Sequence, residues 1–140
     1  MKRLFFRRRP KKAIFLGDLE KAVMEVLWEE APLSGREVHA RVYRRHKVAL
    51  TTVLTILERL QKKGMIKKEG GKKVYIFRPL ISEAQWRNSL VCEYLKQAIN
   101  LSPEAVMANF AEILSELPEA EFNCLVEEIK EKKRREEMNR

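Results

Sequence analysis

Apolar residues near the start of the chain recur with a helical period. Leu19, Ala22, Val23, Val26 and Leu27 fall at i, i+3, i+4, i+7 and i+8, the stripe of an amphipathic helix that Pro32 must end. The next segment, "LSGREV", carries its own start signal: Ser34 as N-cap, Glu37 three residues on to reach back to it, and Leu33 placed to pack against Val38. A second helix, to about Arg45, follows. In "ALTTVLTILERLQKKG", residues 49–64, a turn of about 100° per residue separates two arcs. Val53, Leu54, Ile56, Leu57 and Leu60 share one; Thr51, Thr52, Thr55, Glu58, Arg59, Lys62 and Lys63 share the other. After Gly64 the period shortens. "MIKKEGGKKVYIFRP" contains two short β-rich runs around Gly70 and Gly71, a hairpin whose tip is flanked by Lys67, Lys68, Lys72 and Lys73.

Beyond Pro79 the pattern is helical again. "ISEAQW" repeats the capping logic with Ser82 and Gln85 and sets Ile81 against Trp86; Pro103 stands at the first helical position after Ser102; Pro118 can open a third segment. The apolar positions here, from Leu90, Tyr94 and Leu95 to Phe122, Val126 and Ile129, are too many for helices that stand alone, so they predict a partner surface. The expected fold class is mostly α with a small β-hairpin. It comprises a basic N-terminal arm over residues 1–13, a winged helix-turn-helix over 14–80 and a helical dimerisation region over 81–140.

Charge sharpens this division. The 140 residues carry a formal charge of +9, placed as +7 in residues 1–13, +6 in 14–80 and −4 in 81–140. A cationic front half suits a polyanion, and nucleic acid and an anionic membrane both qualify. Leu4, Phe5 and Phe6 lack the long amphipathic face that membrane-surface binding needs, and no apolar run approaches the roughly 18 residues of a bilayer span. Asp18 and Glu20 interrupt what would be the apolar core of a signal peptide. The expectation is a cytoplasmic protein with no stable membrane association. Cys92 and Cys124 have no CxxC spacing or flanking ligand and are expected to pack as small apolar groups; His39 and His46 read as ordinary histidines. No metal site or cofactor is therefore expected. Without paired carboxylates, a nucleophile with its base, or a phosphate-cradling glycine loop, no catalytic residue is assigned and the chain is not expected to be an enzyme.

The threonines of residues 49–64 then need a reason, because threonine is disfavoured in exposed helix interiors. At the start of the second helix of a helix-turn-helix, short hydroxyls approach phosphates and base edges, and the threonine methyl can meet a thymine methyl. Thr51, Thr52 and Thr55 would serve there. Arg59 could fork onto guanine or a phosphate, while Lys62, Lys63 and the hairpin's Lys72 and Lys73 suit the backbone. Taken alone the arc also reads as a solvated face; with the lysine-tipped hairpin and the front-half charge, a face for double-stranded DNA is the stronger reading.

The stretches "LGDLEKAVMEVLW", "REVHARV", "TTVLTILERLQKKGMI" and "YIFRPLIS" resemble the penicillinase repressor family of winged-helix regulators, from about Leu16 to Ser82. The resemblance implies a homodimer, a three-helix C-terminal dimerisation region and repression at palindromic operators. By position it implies that Thr51, Thr52, Thr55 and Arg59 face the operator, with Lys63 and the hairpin lysines against the backbone. The family commonly has an aromatic before the two threonines, where this chain has Leu50. The copper-responsive branch ends in paired CxC motifs that this tail lacks. The penicillinase branch is relieved when a regulatory protease cuts an Asn–Phe bond in the dimerisation region. Asn109–Phe110, within "MANFAEIL", is the pair of that type here; the alternative is that Asn109 is a chance neighbour of a core phenylalanine. On residues alone, a protein-interaction adaptor without sequence-specific DNA binding remains the rival to a dimeric repressor.

Overall fold

Local capping decides where the helices begin. The computed structural model describes residues 12–140, so the expected basic arm lies almost wholly outside the described residues. Helix α1 (Asp18–Glu30) starts where the Gly17 N–H donates to Glu20 Oε1 at 3.2 Å and stops just before Pro32. The two-residue strand β1 (Leu33–Ser34) leads into α2 (Gly35–Tyr43). The expected capping box is formed: the Glu37 N–H donates to Ser34 Oγ at 3.2 Å, and the Ser34 N–H to Glu37 Oε2 at 2.7 Å. Helix α2 ends two residues short of the expected Arg45, where the His46 N–H turns back to Val42 O at 2.8 Å.

Helix α3 (Leu50–Lys62) closes in a Schellman turn, with the Met65 N–H on Leu60 O at 3.0 Å and the Gly64 N–H on Gln61 O at 3.0 Å. Gly64 takes the left-handed φ of 77° that this turn requires. Strands β2 (Ile66–Glu69) and β3 (Ile76–Pro79) form the expected hairpin, with Ile66 opposite Pro79 and Glu69 opposite Ile76. Gly70, at φ 105°, lets the tip fold over, since a Cβ there would sit 2.7 Å from Val74 O. Strand β1 pairs with the other edge of β3, Leu33 opposite Phe77, which gives an antiparallel sheet of order β1-β3-β2. That third strand was not anticipated, and its two residues are too short for any period to reveal.

The core beneath α1, α2, α3 and the sheet is built from the expected stripes: Val23, Met24 and Leu27; Val38 and Val42; Val53, Ile56, Leu57 and Leu60, with Met65, Ile66 and Phe77 closing it. Each such side chain contributes about 1.5–3 kcal/mol by leaving water. Leu54 is a correction. Expected on the buried arc, it is 42% exposed. It stands at the arc's edge, with its Cδ2 lying 2.7 Å from where a Cβ of Gly35 would be.

The chain divides into two compact units, one running through Glu93 and the other Tyr94–Arg140. Helix α4 (Glu83–Leu101), started by the Ser82–Gln85 capping box with bonds of 3.1 and 3.0 Å, contributes to both. Its first turns belong to the winged-helix unit because Trp86 is buried there, donating from Nε1 to Ile14 O at 2.8 Å and lying 5.4 Å from the Trp28 ring. Trp28 in turn donates to Ile81 O at 2.9 Å. The second unit continues in α5 (Pro103–Ser115), capped by Ser102 Oγ accepting from the Ala105 N–H at 3.1 Å, and α6 (Glu119–Met138), which follows Pro118. Among the described residues, α5 and α6 bury none.

Candidate nucleic-acid interface

Because Val53, Ile56, Leu57 and Leu60 hold α3 to the core, its opposite side is presented to solvent. Thr51, Thr55, Arg59 and Lys62 are exposed on that side, and Thr52 is half-buried at its margin. Thr55 Oγ1 donates to Thr51 O at 3.0 Å. This spends its proton within the helix and leaves a hydroxyl acceptor and a methyl facing outward. The N-cap, Ala49, offers no side-chain acceptor to the first turn of α3 and no acidic residue stands in that turn, so no side chain of α3 offsets the positive end of the helix.

Just ahead of that end, Arg44, Arg45, His46 and Lys47 are all exposed. Arg44, Arg45 and Lys47 have no DNA-facing role in the sequence reading, and His46 reads there as an ordinary histidine, although the uninterrupted run "RRHK" before the threonines is a readable signal. His39, by contrast, is a structural histidine, with Nε2 2.8 Å from Val48 O.

The hairpin presents Lys72 and Lys73 at its tip, both exposed. Lys68 places its ammonium 4.0 Å from the centre of the Tyr75 ring, and Lys67 pairs with Glu69 at 3.4 Å. The Arg78 hydrogen bond, followed by that of Lys67, holds the Glu69 carboxyl below the usual range. Val74 and Tyr75 are 62% and 51% exposed, an apolar pair standing among lysines that the sequence reading had passed over.

Lys63 is exposed too, but its ammonium is engaged within the chain. Its Nζ lies 2.8 Å from Glu20 Oε2 and donates to Phe15 O at 2.9 Å. Burial works to raise the Glu20 pKa, but hydrogen bonds from Lys63 and the Gly17 N–H, with the charges of Lys63 and Arg59, outweigh it and hold the carboxyl below its ordinary value.

In the second unit Asn109 and Phe110 lie side by side on α5. Asn109 Nδ2 donates to Ala105 O at 2.7 Å, and both residues line an apolar groove of about 300 Å³ with Leu95, Val106 and Ile113. Cys92 is half-buried, but Cys124 is exposed on α6 and so does not pack within this chain as expected. Among the described residues, no His, Cys, Asp and Glu side chains group closely enough to hold a metal, and no helix is long and apolar enough to cross a membrane.

A family model described as penicillinase repressor matches residues 16–131, through both units. The chain belongs to the penicillinase repressor family. Its similarity to a transcriptional regulator BlaI of Mycobacterium tuberculosis is 34% identity over 99 residues, 69% of this chain and 72% of that protein. A penicillinase repressor of Bacillus licheniformis is 27% identical over 125 residues, 89% of this chain and 97% of that protein. The solution structure of the DNA binding domain of the repressor BlaI aligns at a TM-score of 0.48 and 29% identity, covering 54% of this chain and 93% of that domain. The penicillinase repressor match extends well past the winged helix, so the exposed apolar helices belong to the family region as much as α3 does.

Proposed function

We propose that this protein is a dimeric, sequence-specific DNA-binding transcriptional repressor that reads an inverted-repeat operator with α3. The observation that carries this reading is the outward face of α3: Thr51, Thr55, Arg59 and Lys62 exposed together, with the basic turn Arg44–Lys47 before them. The names of the relatives, a transcriptional regulator and a penicillinase repressor, support it. Thr51, Thr52 and Thr55 meet base edges and thymine methyls at the N-terminal end of α3; Arg59 forks onto a guanine or a phosphate; Lys62, Lys72, Lys73 and the basic turn neutralise the backbone. With two-fold symmetry the half-sites lie about one helical turn, roughly 34 Å, or a multiple apart.

Titrating salt against a duplex from upstream of the protein's own gene and a random duplex tests the reading. A repressor prefers one sequence at every salt concentration, while its affinity for both falls steeply with salt. Equal binding to all duplexes would leave an adaptor with a basic face.

The second copy is supported by the apolar groove and by the exposed Tyr94, Ile99, Phe122 and Ile129, which a partner protomer would cover. Relief by proteolysis follows from the same surface. Cutting Asn109–Phe110 removes the rest of α5 and all of α6 while leaving α1, α2, α3 and the hairpin whole. Because the bond lies inside a helix, α5 must open locally before a protease can take it as an extended strand. A chain ending at Asn109 should be monomeric and bind the operator weakly; one that still dimerises and binds as tightly as the full chain rules out cleavage there as the switch.

A further inference from the structure

Lys63 looks from its sequence position like one more phosphate contact, yet three observations set it apart from Lys62. The first is angular. Taking about 100° per residue, Lys63 lies roughly 70° from the centre of the buried arc, whereas Thr51, Thr55 and Lys62 lie roughly 150–170° from it. The second is its partner. The Glu20 side chain is only 14% exposed. Its buried Oε2 has no well-oriented hydrogen-bond donor, so the Lys63 charge at 2.8 Å is what compensates it. The third is the segment that Lys63 grips. Phe15 O accepts from Lys63 Nζ at 2.9 Å, and the adjacent carbonyl, Ile14 O, accepts from Trp86 Nε1 at 2.8 Å. Residues 14 and 15 thus form a strap with the end of α3 on one side and the start of α4 on the other.

We propose that Lys63 is a positioning residue, which sets the angle of α3 through Glu20 and the Ile14–Phe15 strap rather than touching DNA. The inference rests on the reading of α3 as the DNA-facing helix. A lysine committed in this way leaves α3 with Lys62 alone as its C-terminal backbone cation. It also makes Glu20, on a different helix from the proposed base-reading side chains, a determinant of sequence preference. A tilt of α3 affects bidentate base contacts more than phosphate contacts, because two parallel hydrogen bonds demand a fixed plane and a point charge does not.

The experiment uses the full chain, with Lys63→Met, Glu20→Gln, the double variant and Lys62→Met, binding an operator duplex and a random duplex across a salt series. Lys63→Met and Glu20→Gln should each lower operator affinity by about two- to fivefold, the range of a single ion pair. The double variant should match the singles, with random-duplex affinity and salt slope as in the unmodified protein. Lys62→Met should instead weaken both duplexes and lower the slope by about one. The proposal is overturned if Lys63→Met behaves as Lys62→Met does while Glu20→Gln binds normally. It is also overturned if the variants lose thermal stability but keep the operator-to-random ratio, the mark of a merely structural pair. Should Lys63→Met fail to fold, Glu20→Gln alone decides, since it keeps a side-chain acceptor for the Gly17 N–H. An unmodified protein with no operator preference would fail the functional reading itself, before any variant is compared.

Discussion

Leu57 and Ile113 are both branched aliphatic residues on the apolar stripe of a 13-residue helix, α3 and α5 respectively. Leu57 is sealed beneath the winged helix at 1% exposure, whereas Ile113 is 59% exposed. The winged-helix unit closes its core from within: three helices, a sheet and Trp86 cover one another's apolar faces. The unit of α5 and α6 has stripes of the same kind, yet among the described residues neither helix buries a side chain. Similar patterning thus means two different things. In the first unit it specifies a fold; in the second it specifies a fold together with a partner, proposed here to be a second copy. On the function proposed above, the first unit would keep its fold as the second is joined or separated, which is what a repressor needs if its reading head is to survive its own release.

The contrast is broken most directly at the groove. Phe110→Asp, placing a carboxylate among Leu95, Val106 and Ile113, should leave the winged helix folded and separate the protomers. Loss of the second linked contact should then weaken operator binding by about 10²- to 10⁴-fold. Sedimentation equilibrium and operator titration check the two halves; a variant that stays dimeric would mean that another face joins the copies. Next in size is the matched pair. Leu57→Ala should cost about 2–5 kcal/mol in denaturant unfolding, independent of protein concentration. Ile113→Ala should leave the unfolding of a dilute monomer unchanged and raise the dimer dissociation constant. If Ile113→Ala lost stability independently of concentration, α5 would be self-sufficient and the comparison would fail.

Many helix starts are legible in the sequence because their causes are local. Ser34 with Glu37, Ser82 with Gln85 and Ser102 before Pro103 place helix starts within a few residues of themselves, and all three caps form. What escaped depends on distant partners. Strand β1 exists because Leu33 finds Phe77, and no period is visible in two residues. Leu54 is exposed because it sits at the edge of the arc, beside a glycine on another helix. Lys63 follows the polar pattern of α3, yet its long side chain reaches Glu20 and Phe15. At the candidate interface Thr51, Thr55, Arg59 and Lys62 were readable from angle alone. The turn Arg44–Lys47 falls between periodic segments, and a reading built on periodicity passed it by.

Within the winged helix, Arg59→Ala sharpens the contrast between reading and joining. It should cost about 1–3 kcal/mol per half-site and relax preference at one base pair, as losing a bidentate contact does. The dimer dissociation constant should not move. Selection from a randomised operator pool detects the relaxed position; an affinity loss equal on every sequence would make Arg59 a backbone contact.

The smallest expected effect concerns acid. Glu20, Glu37 and Glu69, all in the winged-helix unit, have carboxyls held below their ordinary value of 4.5. For Glu37 the main cause is its capping bond from the Ser34 N–H. A carboxyl whose native pKa is depressed binds its proton more readily when the chain unfolds. Its contribution is therefore full above the unfolded value, falls away as pH drops below 4.5, and is gone once pH passes the native value. Acidification through that window should loosen the winged helix, and Glu20→Gln should flatten the decline by removing one of its contributors. The same substitution should reduce stability near neutral pH, where the Lys63 pairing with Glu20 is fully formed, so the two stability curves converge toward acid. Urea titrations of both proteins at a series of pH values test the sign: curves that stay parallel through the window would mean that the Glu20 charge does not stabilise the end of α3.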